Sequence, residues 1–322
     1  MKLTLTFLIT AAALTSTLGQ ITTTKVATKT AKINNSPYDS LENFLGKNVQ
    51  QYIGQELYLP GKAETLRKYG YEDFLTDYHK KNPLDPKPVY KCCDSYNSKY
   101  DSLNGKYFKV LDVIYDPQSE EDESLFGPNY FIKLQEKESK DTVYFKYDSS
   151  SQYGFPFVVV GFYKKAKNKY IDTKYILRGR NWVESNSEMY DIQTGKPVNI
   201  SPGTTWKCVD FTIEEKYYEL SLILENSNNE RVAYSLDNVL KGIYFAFPKS
   251  KADNYKEKFG AENWNLILAG KVKVGMTKEM CELSWGKPKK INNTITQGKK
   301  SEQYVYKENY LYFDNGLLTV IQ

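Results

Sequence analysis

The chain has 322 residues, with 44 Lys and Arg against 39 Asp and Glu, for a formal net charge of only +5. That charge is spread along the chain without a basic stripe, which argues against a nucleic-acid partner. A single histidine, four cysteines and no glycine-rich phosphate loop leave little material for imidazole, zinc or nucleotide chemistry.

Met1-Lys2, the apolar run Leu3 to Leu14 and the small, polar Thr15 to Gln20 have the form of a cleavable export signal, with cleavage near Gly19 or Gln20. The run is short for a bilayer, and no later apolar stretch has the length of a transmembrane helix. No cysteine precedes Cys92, so the new N-terminus lacks the residue that carries a bacterial lipoprotein's lipid. The expectation is an exported protein, periplasmic or extracellular, soluble and not lipid-anchored. Residues 1–20 are then the signal peptide and residues 21–36, rich in Thr and Lys, a flexible linker.

Residues 37–90 read as a helical lead-in. Ser36-Pro37 has the form of a capped helix start, and Leu41, Phe44, Leu45 and Val49 share a helical face that Gly54 ends. Gln55 to Leu59 is strand-like, short helices are expected near Ala63 to Lys68 and Tyr71 to Lys80, and the Pro-rich 82–88 is a loop. From Tyr107 the pattern turns to strands: Tyr107 to Val113, Tyr130 to Leu134, Thr142 to Tyr147 and Phe155 to Tyr163, with an acidic loop, Ser119 to Ser124, after the first.

An internal repeat runs through this region. Gly105 to Val113 (GKYFKVLDV) resembles Gly203 to Phe211 (GTTWKCVDF), and Tyr130 to Asp148 resembles Tyr218 to Asp237. Ile53 to Leu59 (IGQELYL) has the look of a degenerate earlier copy. A repeated strand–loop–hairpin unit suggests small barrels or sandwiches in series. The repeat sets Cys208 opposite the apolar Val110, which favours a buried thiol. Adjacent Cys92 and Cys93 pair poorly with each other, leaving free thiols or a bridge from one of them to Cys208, with Cys281 as the fourth cysteine.

The last fifty residues have the sharpest local logic. Thr277 is placed to cap a helix bearing Met280, Cys281 and Leu283, which Gly286 and Pro288 end. Strands follow at Lys290 to Thr296, Glu302 to Tyr306, Tyr310 to Asp314 and Leu317 to Ile321, with Asn315-Gly316 as a hairpin turn. That turn sets Phe313 against Leu318 and Leu311 against Val320, with Val305 also inward. Tyr304, Tyr306, Tyr310 and Tyr312 then share the outer face. They form either an exposed platform or a surface packed on the preceding β region.

Gly275-Met276-Thr277-Lys278-Glu279, Trp285-Gly286-Lys287-Pro288, Ser301 to Tyr306 and Tyr310 to Gly316 resemble, in order, the SmpA/OmlA (BamE-like) family of small envelope proteins. The likeness covers about Val272 to Gln322. It implies helices on a three-stranded antiparallel sheet and a non-enzymatic role through protein contact. Two departures, the missing lipid-attachment cysteine and the long β-rich region before the module, keep a role in outer-membrane assembly from carrying over.

The expected fold is α+β and β-dominated: two related antiparallel β units (91–195 and 196–265) and a BamE-like module (266–322). No catalytic residue, cofactor or metal site is nominated, and His79 lies in a charged, solvated stretch. The candidate interaction surface is Trp285, Tyr304, Tyr306, Tyr310 and Tyr312. The first functional expectation is an envelope protein that binds another protein. A secreted carbohydrate- or peptide-binding module comes second. A hydrolase using paired carboxylates, which needs no histidine, comes third. Oligomeric state is left open.

Overall fold

The computed structural model describes residues 40–79, 88–116, 129–178, 189–201, 203–216, 218–240, 246–296 and 299–322. The export signal, the linker, the Ser36-Pro37 helix start, the acidic loop and most of the Pro-rich loop lie outside the described residues. Among the described residues no helix is long and apolar enough to cross a membrane.

The chain is mixed α+β and strand-rich, and every sheet among the described residues is antiparallel. A 3₁₀ segment, Gly46–Tyr52, buries Val49 and Tyr52. The expected helical face does not form across Leu41 to Val49: Gly46 sits at φ +52°, outside the α-helical region, and Leu41 is exposed. The first unit then runs through β1 (Glu56–Tyr58), α1 (Glu64–Arg67), β2 (Phe74–Leu75), β3 (Cys92–Asp94), β4 (Asn97–Ser98), α2 (Tyr100–Leu103), β5 (Tyr107–Tyr115), β6 (Asn129–Glu136), β7 (Thr142–Asp148) and β8 (Val158–Val159). Its main sheet has the order β2-β7-β6-β5-β1-β8. The stretch expected as a helical lead-in therefore supplies two strands. The expected helix from Tyr71 to Lys80 does not form over its described residues, 71–79, because Asp73 is left-handed at φ +69° and Phe74 pairs with Phe145 on β7. Cys92 and Cys93, on the β3–β4 hairpin, are joined as a disulfide, the pairing the sequence disfavoured; Cys208 and Cys281 are free and buried.

The apolar run Phe155 to Tyr163, expected as a strand, gives only β8 before turning into α3 (Val160–Tyr170). The helix is favoured because Phe162, Ala166 and Tyr170 recur every four residues and all become buried. The second unit follows: β9 (Lys174–Leu177), β10 (Met189–Tyr190), β11 (Pro197–Val198), β12 (Thr205–Glu214), β13 (Glu219–Glu225), β14 (Arg231–Ser235), α4 (Leu236–Leu240) and β15 (Ala246–Pro248). Its sheet order is β14-β13-β12-β9-β15, the order of β7-β6-β5-β1-β8 in the first. Neither sheet closes into a barrel among the described residues.

The two sheets match down to single hydrogen bonds. β5 carries a bulge between Val110 and Asp112, and β12 one between Cys208 and Asp210. In each, the aspartate carboxylate accepts the next residue's N–H, Val113 at 2.8 Å and Phe211 at 2.7 Å. Gly54 N–H donates to Val110 O at 2.9 Å, and Asp172 N–H to Cys208 O at 2.9 Å, both from left-handed backbone. Ile53 to Leu59 thus corresponds to Ile171 to Leu177 (IDTKYIL) and opens the first unit instead of forming an extra copy. The paired strands also shift the sequence match by two: Leu134 and Leu224 occupy the same place, opposite Val110 and Cys208. An even slip leaves every side chain on its own face, so the period-two pattern looks the same either way.

One apolar cluster spans both sheets, including Leu57, Phe108 and Phe145 from the first, Trp206, Phe211 and Leu222 from the second, and Phe162, Ala166 and Tyr170 of α3. On β9, Tyr175 and Leu177 point into this cluster while Ile176 points away, into a second one. That second cluster joins Ile176 and Phe247 to α5 (Lys249–Leu268), α6 (Lys278–Trp285) and the sheet β16 (Lys290–Thr296), β17 (Lys299–Val305), β18 (Tyr310–Asp314) and β19 (Leu317–Ile321). Trp264, Ile267 and Leu268 of α5 are buried here, so the C-terminal core draws on residues before 266, and the second sheet begins well before 196.

Arg178, 5% exposed, ties the second unit to this module. Its Nη2 donates to the carbonyls of Ile267 at 2.6 Å and Ser284 at 2.9 Å, in the last turns of α5 and α6. A cation there meets the negative ends of two helices, while burial lowers its pKa to about 10.

The tip of the β6–β7 hairpin holds Glu136, 1% exposed, with Lys91 Nζ at 3.0 Å and the Ser139 hydroxyl at 2.5 Å. Burial alone would push its carboxyl up, but the Ser139 hydroxyl and the Lys91 ammonium hold it down at about 2. The folded value lies below the ordinary 4.5, so the stabilisation is complete above that range and is lost as pH falls toward 2. Glu136→Gln is expected to cost about 2 kcal/mol in urea unfolding at pH 7. The difference from the unsubstituted chain should shrink steadily below pH 4.5; a difference independent of pH would refute this assignment.

Candidate functional site

The C-terminal module begins where local chemistry says it should. Thr277 Oγ1 accepts the Met280 N–H at 3.3 Å, capping α6. Gly286, at φ +82°, ends the helix, a conformation that suits a residue without a Cβ. Asn315 and Gly316 are both left-handed and turn β18 into β19. The sheet order is β16-β17-β18-β19, four strands where the family likeness implies three.

The inner face packs on the helices through Tyr304, Leu311, Phe313 and Leu318, all buried. Here the expected placement of Tyr304 and Val305 is reversed. Tyr304 pairs with Leu311 and Val305 with Tyr310, and directly paired residues share a face. Leu311 is inward, so Tyr304 must be inward and Val305 outward. Tyr304 lies 5% exposed with its ring 4.7 Å from that of Phe313. Burial and then Glu282 push its phenol up to about 12. A second reversal comes from a bulge between Tyr312 and Phe313. Phe313 faces Leu318 as expected, but Tyr312 then faces Val320, which is turned outward and 50% exposed.

The five nominated residues therefore divide. Tyr304 belongs to the core. Trp285 and Tyr306 form a half-buried corner: their rings meet edge to face at 5.4 Å, Trp285 Nε1 donates to Gly270 O at 2.9 Å, and the Tyr306 hydroxyl donates to Gly286 O at 3.0 Å. Tyr310 and Tyr312 lie on the outer face.

That face carries a feature the sequence reading did not single out. Asn292 Nδ2 donates to Gln303 Oε1 at 2.8 Å, Gln303 Nε2 to the Tyr312 hydroxyl at 3.0 Å, and that hydroxyl to Gln322 Oε1 at 2.9 Å. The ladder crosses the sheet, and beside it stand Val305, Tyr310 and Val320. Its signal was present as alternation, with Gln303 and Val305 two apart on β17 and Tyr310 and Tyr312 two apart on β18. What sequence could not supply is which strand partners which.

Groups with catalytic potential are placed elsewhere. His79 is exposed, its ring 4.0 Å from that of Tyr78. Burial pushes the Cys208 thiol up to about 11 and the Cys281 thiol to about 12, away from the reactive thiolate. Among the described residues no three of His, Cys, Asp and Glu gather as a metal site. The chain matches no family model, no curated protein and no solved structure.

The two tyrosines on opposite faces should respond differently to truncation. Tyr304→Ala is expected to cost about 3 kcal/mol in denaturant unfolding, and Tyr310→Ala no more than about 0.5. Comparable losses at the two positions would contradict the strand register described above.

Proposed function

We propose that the chain is an exported, non-enzymatic protein that works by contact with another protein, through the outer face of its C-terminal sheet. One observation carries this reading: the sheet's inner face is filled by α5 and α6, while its outer face holds Val305, Tyr310, Tyr312 and Val320 around an ordered amide ladder. An apolar and aromatic centre with polar groups fixed beside it is the chemistry of a protein docking surface. The side chains of the ladder are already engaged with one another. This favours a flat protein partner over a saccharide, which would draw on free amides. The likeness of Gly275 to Gly316 to envelope proteins of the SmpA/OmlA family and the export signal read at Met1 to Gln20 support a partner in the cell envelope.

The test is site-specific photo-crosslinking in cells that make and export the protein. A photoreactive residue at Tyr310 or Val320 should yield a discrete adduct with one protein. The same group at Tyr153, 93% exposed on the first unit, should yield none. Equal labelling at all three positions, or none at the first two, would overturn the proposal.

A further inference from the structure

The first β unit carries a preassembled stack of rings and cations. Tyr71 and Tyr100 stack with centroids 5.7 Å apart and planes 11° from parallel. Lys62 Nζ lies 4.9 Å from the Tyr71 centroid, and the Arg67 guanidinium 5.4 Å from that of Tyr100. The stack is rigidly held: Tyr71, 1% exposed, donates its hydroxyl to Pro60 O at 2.8 Å, and Lys62 Nζ donates to Gly70 O at 2.6 Å. Gly61 leaves a notch beside it. A Cβ there would come within 2.3 Å of Tyr218 Cε1, so the notch admits a ring only because residue 61 has no side chain.

The ring that fills it comes from the second unit. Tyr218 lies in the connection between β12 and β13, at φ +57°, a strained conformation for a bulky residue. Its hydroxyl accepts from Arg67 Nη2 at 3.4 Å. The half-exposed Tyr218 is also no part of the fold common to the two units: the strand match that equates Leu134 with Leu224 sets Pro128 at the corresponding position of the first.

We propose that this cradle is a binding site for a tyrosine side chain on another polypeptide, held closed in the free protein by Tyr218. The phenol ring seats in the Gly61 notch, and the hydroxyl accepts from Arg67. Phenylalanine satisfies the first requirement and fails the second. Because Tyr218 is tethered, it competes at the high effective concentration of an intramolecular ligand, and an incoming tyrosine binds well only when Tyr218 is drawn away.

The test uses the full chain and the blocked peptide N-acetyl-Gly-Tyr-Gly-amide, titrated by calorimetry. Tyr218→Ala should bind it at least about tenfold more tightly than the unsubstituted chain. The Phe peptide should bind that variant about tenfold more weakly. Adding Gly61→Ala should abolish binding by filling the notch. Should Tyr218→Ala fail to fold, Tyr218→Phe keeps the ring and loses only the hydroxyl, and it should raise peptide affinity several-fold. Equal affinity with and without Tyr218, no binding when it is removed, or no preference for Tyr over Phe would each overturn the proposal.

Discussion

Tyr163 donates its hydroxyl to the carbonyl of Phe211 at 2.5 Å, and Lys167 meets Asp210 at 2.7 Å. Both donors sit on α3, which continues directly from the last strand of the first unit, and both acceptors sit on the bulged strand of the second. Phe162, Ala166 and Tyr170 of the same helix lie in the apolar cluster that runs through both sheets. The helix thus closes one unit and supports the other. Neither sheet can be pulled away without exposing the side chains they share, so the units hold a fixed relation to each other.

The same logic extends to the C-terminal module by a polar route. β9 alternates: Tyr175 and Leu177 serve the shared core, while Ile176 serves the cluster beneath α5 and α6. The next residue, Arg178, offers its guanidinium to the carbonyl ends of those two helices. Removing it would take the charged donor from both carbonyls, of which Ile267 O keeps the Gly270 N–H at 3.0 Å. With one side of the last sheet buried under α5 and α6, its outer face carries Val305, Tyr310, Tyr312 and Val320. The Tyr218 cradle is a different case, a place where one unit already inserts a side chain into the other.

The features legible in the sequence were the local ones. Thr277 as a cap, Gly286 as a terminator and the Asn315-Gly316 turn each depend on a few neighbouring residues, and each forms as read. The β-rich, antiparallel character was legible for the same reason, since alternation and turn residues are short-range. Partnership was not. Val305 looked inward because it is apolar, yet its pairing with Tyr310 turns it out and sends Tyr304 into the core. Phe155 to Tyr163 looked like one strand because a short apolar run fits either strand or helix. The burial of Tyr170, beyond the end of that run, shows the helical period. Likewise, Ile53 to Leu59 could be seen to resemble a strand of the repeat, but its counterpart Ile171 to Leu177 emerged only when both strands were found paired at the same place beside a bulge.

The central claim is that the two β units stand or fall together through α3. Native-state hydrogen exchange tests it most directly, by comparing amides on β6 with amides on β13. Shared burial predicts one common opening free energy for both strands, lowered equally when Phe162 is truncated to Ala. Two distinct opening energies, with only one of them responding to Phe162→Ala, would contradict it.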